Sequence, residues 1–329
     1  ILSNGTESVD GTAKLIAIDV ETPTSFKSIA TSTQTGNGLS GAALLPNAEG
    51  VSTYAYAGDI KGNMWKFDLT ASSIGSWASA YAGGGNPKPL VTVVDSAGNL
   101  QPITGTPTLG RNSLKMAGSG ANQTPSVMVY FGTGRYSETA DISNLAVQSI
   151  YAIADTNNAI NLNSTNRNTL LKAKVITAES AANPAQRTVT PDATPVTTEV
   201  PAVTWTTYTG WYLDLKYNTA KGERVIVKPV LVYDRLIINT FIPSPNQCDY
   251  GGSGWLMELT GVGDRYIGLN VLLGNANIQL TDPILGDLIP IMAGESIIFL
   301  GSELSGGIEA FVGEAGAGSR GRMSWRQIK

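Results

Sequence analysis

The feature that most constrains this chain is a hairpin unit that recurs along it. Residues 56–69 read YAGDIKGNMWKFDL: an apolar strand ending at Gly58, a polar turn, then a second apolar strand that carries Trp65 and reaches Asp68. The same order begins at residue 1, in ILSNGTESVDGTAKLIAIDVETP, and at 127, where VMVYFGTGRY is followed after an insertion by SIYAIAD at 149–155. It returns at 235, where RLIINTFIPS leads to GWLMEL at 254–259, and at 296 in SIIFLGSELSGGIEAFV. A hairpin cannot bury its own faces, so units repeated in order must stack on one another.

The alternation inside a unit says how they stack. Val127, Val129 and Phe131 point one way, while Met128, Tyr130 and Gly132 point the other. Both sets are apolar or small, so both faces of the sheet are expected to be covered. No long stretch carries a helical period. The expected fold is all-β, a β-propeller, with pairs of sheets in β-sandwiches as the alternative. Gly58, Gly62 and Gly132 are expected to supply positive φ where strands reverse. Asp59 is expected to cap its turn, and Trp65 to wedge between neighbouring blades. NTLLKAKVIT and GWYLDL, between 155 and 235, read as parts of a further unit.

Composition narrows the function classes. The 329 residues carry 22 Lys and Arg against 26 Asp and Glu, a net charge of −4, with no basic run to displace counterions from phosphates. A nucleic-acid partner is therefore disfavoured. No stretch of about 18 apolar residues predicts a transmembrane helix. The opening ILSNG has neither the basic start nor the cleavage site of a signal peptide, and reads as the start of a fragment. Histidine is absent altogether. That removes the commonest general base and the commonest zinc ligand together, so an enzyme is not expected and no catalytic or cofactor-binding residue is assigned.

Taken together, several stretches resemble the C-terminal β-propeller of the PilY/PilC family, the tip-associated proteins of type IV pili. They are IDVETP, NGLSGAAL, YAYAGDIKGNMWKFDL, QPITGTPTLG, VYFGTGRYSETADIS with QSIYAIAD, GWYLDL, GERVIVKPVL, IPSPNQCDYGGSGWLMEL and GRMSWRQI. The resemblance implies a modified, quinoprotein-like propeller of seven blades, incomplete in this chain, as one domain over 1–329 of a larger protein. It also implies a non-enzymatic role in pilus assembly, in countering retraction and in adhesion to a surface or host. The implied partners are minor pilins, other tip components and the missing N-terminal region. The implied location is extracellular, at the pilus tip or the outer-membrane-associated cell surface. Two other propeller classes compete: a pyrroloquinoline-quinone enzyme and a scaffold of outer-membrane assembly. Against the enzyme stand the single cysteine, where a vicinal pair is common, and the uneven spread of six Trp.

The resemblance also implies a calcium loop, DxDxDGxxD, which many members of that family carry just before YAGD. Here the equivalent stretch is LPNAEGVST, which puts Leu45, Asn47, Glu49, the Val51 carbonyl and Thr53 at the ligand positions. One carboxylate compensates a divalent ion poorly, so the metal site Asn47, Glu49, Val51 and Thr53 reads as a degenerate version, with calcium binding expected to collapse and no other cofactor expected.

The remaining candidates have plainer readings. Asp95 to Asn99 reads as a tight turn rather than as metal ligands. Glu138 and Asp141 are close enough to be neighbours, but lack the aromatics a sugar-cleaving carboxylate pair would want. Cys248 reads as a small buried thiol, or as the partner of a cysteine elsewhere in a longer protein. Asp264-Arg265 is not an Arg-Gly-Asp, which the chain lacks. Residues 178–204, rich in Ala, Thr and Pro, read as a mobile loop. The apolar stretch 273–295 is expected to fill the space between the last blades, with any exposed part free to dock a partner.

Overall fold

The computed structural model describes residues 1–31, 35–180, 184–190, 203–232, 234–246, 251–262, 277–293 and 296–314. Each of the five hairpin units lies in a different sheet. The first sheet pairs Leu2–Ser3 with Lys14–Ile18 and Phe26–Ala30. The second runs Val91–Thr92, Asn63–Asp68, Ser52–Gly58, Ala43–Pro46, with Ala78–Ser79 alongside. The third has six strands, in the order Thr108–Ala117, Thr124–Gly132, Ser149–Asp155, Gly210–Asp214, Lys172–Glu179, Arg187–Thr190. The fourth is Val230–Val232, Arg235–Pro243, Gly252–Thr260, Ile278–Leu280, and the fifth Ile289–Ala293, Ser296–Ser302, Ile308–Glu314.

Among the described residues, four apolar cores lie between successive sheets. Leu15 and Ile29 of the first sheet meet Ala55, Ala57, Trp65 and Phe67 of the second. The opposite face of the second sheet, through Tyr56 and Met64, meets Val129, Phe131, Tyr151 and Ile153 of the third. Met128, Tyr130, Ile150 and Trp211 turn the other way, onto Leu236, Ile238, Trp255 and Met257 of the fourth. Ile237 and Leu256 then meet Ile297, Phe299 and Phe311 of the fifth. The period-2 alternation thus assigns odd and even residues of one strand to different cores. Burying each large apolar side chain contributes about 1.5–3 kcal/mol, and here both faces of the three middle sheets collect it. Sheets stacked face to face in chain order, each built on a hairpin, make a β-propeller.

The outer faces of the stack differ. On the fifth sheet Ile289, Ile291, Ile308 and Val312 are exposed, as are Leu2, Ile18 and Phe26 on the first. Within 273–295 the expected filling is observed at Ile278, Leu280, Ile284 and Leu288, all in the core between the last two sheets. Among the described residues no helix is long and apolar enough to cross a membrane.

Three expectations need correction. GWYLDL does not open a further unit. Gly210–Asp214 pairs with Ser149–Asp155, and Lys172–Glu179 adds to it in parallel, so the insertion widens the third sheet. Part of the stretch read as a mobile loop is strand: Arg187–Thr190 pairs with Lys172–Glu179, because Arg187 and Val189 alternate inward and are buried. Of the three glycines, Gly62 has the positive φ expected, at 80°. Gly58 and Gly132 are needed for space instead. A Cβ on Gly58 would lie 2.2 Å from Ile103 Cγ2, and one on Gly132 2.1 Å from Val225 Cβ. Cys248, Asp264, Arg265 and the closing GRMSWRQI lie outside the described residues.

The contact at Gly132 is fixed by backbone on one side and a β-branched, buried side chain on the other. Gly132→Ala is therefore expected to destabilise the fold by about 1–3 kcal/mol, read as a lower midpoint in denaturant with an unchanged slope.

Candidate functional site

The turn that closes the opening hairpin is organised by one carboxylate. Asp59 Oδ1 accepts from the backbone N–H groups of Lys61 and Asn63, both at 2.9 Å. Its Oδ2 accepts from Asn37 Nδ2 at 3.0 Å, Asn63 Nδ2 at 2.9 Å and Trp65 Nε1 at 2.8 Å. Asp59 is fully buried, and it ties the turn to the indole that fills the core between the first two sheets. The turn at 95–99 repeats this chemistry. Asp95 Oδ1 accepts from the N–H of Ala97 and of Asn99, and Oδ2 from Asn99 Nδ2. These carboxylates are turn formers with both oxygens in use, as expected of an Asp that mimics a backbone turn.

A second cluster joins the second sheet to the third. Asp155 ends the strand Ser149–Asp155 and is 2% exposed. It accepts from Tyr56 Oη and Tyr81 Oη, each at 2.7 Å, and from the N–H of Asn157 at 2.9 Å. Lys66, buried in the strand Asn63–Asp68, brings its Nζ to 2.7 Å from Asp155 Oδ2. Burial first, and then the charge of Asp155, push the phenols of Tyr56 and Tyr81 well above the ordinary tyrosine range, so they stay protonated as donors. Removing one partner of such a buried pair would leave a desolvated charge, at a cost of about 3–5 kcal/mol. The signal for this cluster was a lysine in the middle of an apolar strand; its partner lies 89 positions away and could not be read from spacing.

Buried arginines, also missed in the sequence, brace the later sheets and one loop. Arg187 meets Glu223 at 2.7 Å and Glu179 at 2.6 Å, with its guanidinium 4.0 Å from the Trp255 ring centroid. Arg235 pairs with Glu258 at 2.7 Å across adjacent strands. Arg224 donates to the carbonyls of Arg135, Asp141 and Asn144, which anchors the loop after GTGRY.

That loop holds the carboxylate pair seen in the sequence. Glu138 and Asp141 both contact Arg135, at 2.9 and 3.2 Å. Burial alone would raise the Asp141 carboxyl. The N–H groups of Ser137 and Glu138, with Arg135, outweigh it and hold the carboxyl below its usual value. The geometry suits an anion that caps a turn, not a group that shuttles protons.

The residues of the degenerate calcium loop share one hairpin turn between Ala43–Pro46 and Ser52–Gly58. Asn47 Oδ1 accepts from the N–H of Glu49 and of Val51, and the Val51 carbonyl accepts from the Asn47 N–H. Thr53 Oγ1 donates to the Leu45 carbonyl, and Glu49 is exposed. Among the described residues, no group of three or more His, Cys, Asp or Glu is placed to hold a metal.

Stacked sheets, Asp-centred hairpin turns and charged ties between neighbouring sheets define a β-propeller whose interior polar groups hold blades together. The comparisons then narrow the class. The PilY1 beta-propeller domain family matches residues 2–182, more than half of the chain. The type IV pilus biogenesis factor PilY1 of Pseudomonas aeruginosa PAO1 is 31% identical over 297 residues, covering 82% of this chain and 24% of that protein. A PilY1 homolog of Xylella fastidiosa is 29% identical over 275 residues, covering 79% of this chain and 17% of its own length. The crystal structure of the P. aeruginosa PilY1 C-terminal domain superposes with a TM-score of 0.69 at 25% identity, over 96% of this chain and 68% of the other. The chain belongs to the PilY1 β-propeller family, and spans about a quarter or less of these curated relatives.

Two measurements follow from the site. We infer that the 45–53 turn closes on its own hydrogen bonds without an ion. Calorimetric titration with calcium is expected to give no heat and no rise in melting temperature, and micromolar binding would refute this. For Asp141 the folded value lies below the unfolded one, so its stabilisation is complete above about pH 4 and is lost as pH falls through the folded value. The melting-temperature gap between wild type and Asp141→Asn is expected to be full at neutral pH and to vanish in strong acid.

Proposed function

We propose that this chain is a non-enzymatic interaction domain of a type IV pilus biogenesis factor. In this reading it works at the pilus tip or the outer-membrane-associated cell surface, where it supports pilus assembly with minor pilins, counters retraction and contributes to adhesion. The observation that carries the reading is the match over nearly the whole chain to the PilY1 C-terminal domain, joined to relatives named as pilus biogenesis factors. The physical character of the described interior supports it. Asp59, Asp155 and Arg187 each meet several partners within the protein and serve the packing of blades, which leaves the loops around a rigid stack as the recognition elements. Exposed apolar residues such as Ile308 and Phe26 add surface suited to protein contacts.

The test is deletion of this domain from the full-length protein in its host, with surface pili counted after shearing. Piliation is expected to fall sharply and to recover when the retraction motor is also removed. Unchanged piliation in the single deletion would overturn the proposal. Minor pilins are expected to co-purify with the intact protein and to be lost on deletion.

A further inference from the structure

The cluster at Asp155 brings together an amine, a carboxamide and a carboxylate, and that combination has chemistry of its own. Lys66 is 4% exposed. Its Nζ lies 2.7 Å from Asp155 Oδ2 and 3.0 Å from Asn157 Oδ1, so the amide carbon is one bond further on. The ring of Tyr54 lies 4.4 Å from the amine, and those of Tyr81 and Tyr56 at 5.6 and 6.0 Å. Asn157 has a positive φ of 63°, and its N–H donates to Asp155 Oδ1. The carboxylate that meets the amine therefore also shapes the turn that presents the amide.

We propose that Lys66 and Asn157 become joined by an isopeptide bond, with Asp155 as the proton relay. The step begins when Lys66 Nζ passes a proton to Asp155 Oδ2, 2.7 Å away, which leaves a neutral amine beside a carboxylic acid. The free amine then attacks the Asn157 carbonyl carbon. The new C–N bond forms as the C=O electron pair moves onto Oδ1. Asp155 gives its proton to Nδ2 and takes one from the attacking nitrogen. The carbonyl re-forms, the bond to Nδ2 breaks, and ammonia leaves. No oxidant or co-reactant is consumed, and the amine already meets the amide, through its Oδ1 at 3.0 Å. The buried arginines at 187 and 235 could not do this, because a guanidinium does not give up its proton.

The bond would staple the second sheet to the third across 91 positions of sequence, a covalent tie beside the ion pair and the tyrosine hydrogen bonds to Asp155. This inference stands apart from the pilus reading and does not need it. It is tested on the full-length protein, folded, then denatured and digested for mass spectrometry. The peptides carrying Lys66 and Asn157 are expected as one cross-linked species, lighter than their sum by one ammonia, about 17 Da. Two separate peptides of unmodified mass from the wild-type protein overturn the proposal, whatever the variants do. Lys66→Arg is expected to give only separate peptides. In a folded Asp155→Asn protein the cross-link is also expected to be missing; if it persists, the relay role of Asp155 is refuted.

Discussion

Everything in this fold depends on burying both faces of the middle sheets at once. A sheet with one wet face can alternate polar and apolar residues; a sheet in the middle of a stack cannot. The strand Ser149–Asp155 shows the consequence, since all seven of its residues are buried while odd and even positions serve different cores. With no polar face left, any charge on these strands must find its counter-charge inside. That requirement generates the pairs of Lys66 with Asp155, Arg187 with Glu223 and Arg235 with Glu258.

These pairs add specificity to the stack rather than simple cohesion. Apolar faces slide past one another with little penalty, whereas a buried carboxylate with four donors accepts one register only. Asp155 meets Tyr56, Tyr81 and Lys66 from the second sheet region and Asn157 from its own turn, so it fixes the angle between two blades. Asp59 acts at shorter range, locking a turn onto the Trp65 indole that lies against the first sheet. The glycines at 58 and 132 belong to the same logic: they let neighbouring elements approach more closely than any Cβ allows.

The family relationship and the physical reading point in one direction. A PilY1-type propeller offers loops on a stiff frame, and the frame here is stiffened by buried ties. Loop anchoring follows the same principle on a smaller scale. Arg224 collects one carbonyl within GTGRY and two from the segment after it, while Arg135 gathers Glu138 and Asp141, so an exposed loop keeps a defined shape without forming a strand.

The sequence by itself determined the class of fold, because strand period and Asp-Gly turn chemistry are local. YAGDIKGNMWKFDL announces its hairpin, its cap at Asp59 and its core tryptophan within fourteen residues. It also shows a single carboxylate, Glu49, within 45–53. It cannot show which strands share a sheet when insertions intervene, so GWYLDL reads as part of a further unit although Gly210–Asp214 pairs with Ser149–Asp155. Nor could it show why Gly132 is glycine, since the reason is Val225, 93 positions on. The ion-pair cluster was hidden for the same reason: Lys66 and Asp155 are ordinary residues until two blades meet. Local conformation follows from neighbours in sequence; the contacts between blades exist only once loops of very different length have closed, and those only the tertiary structure decided.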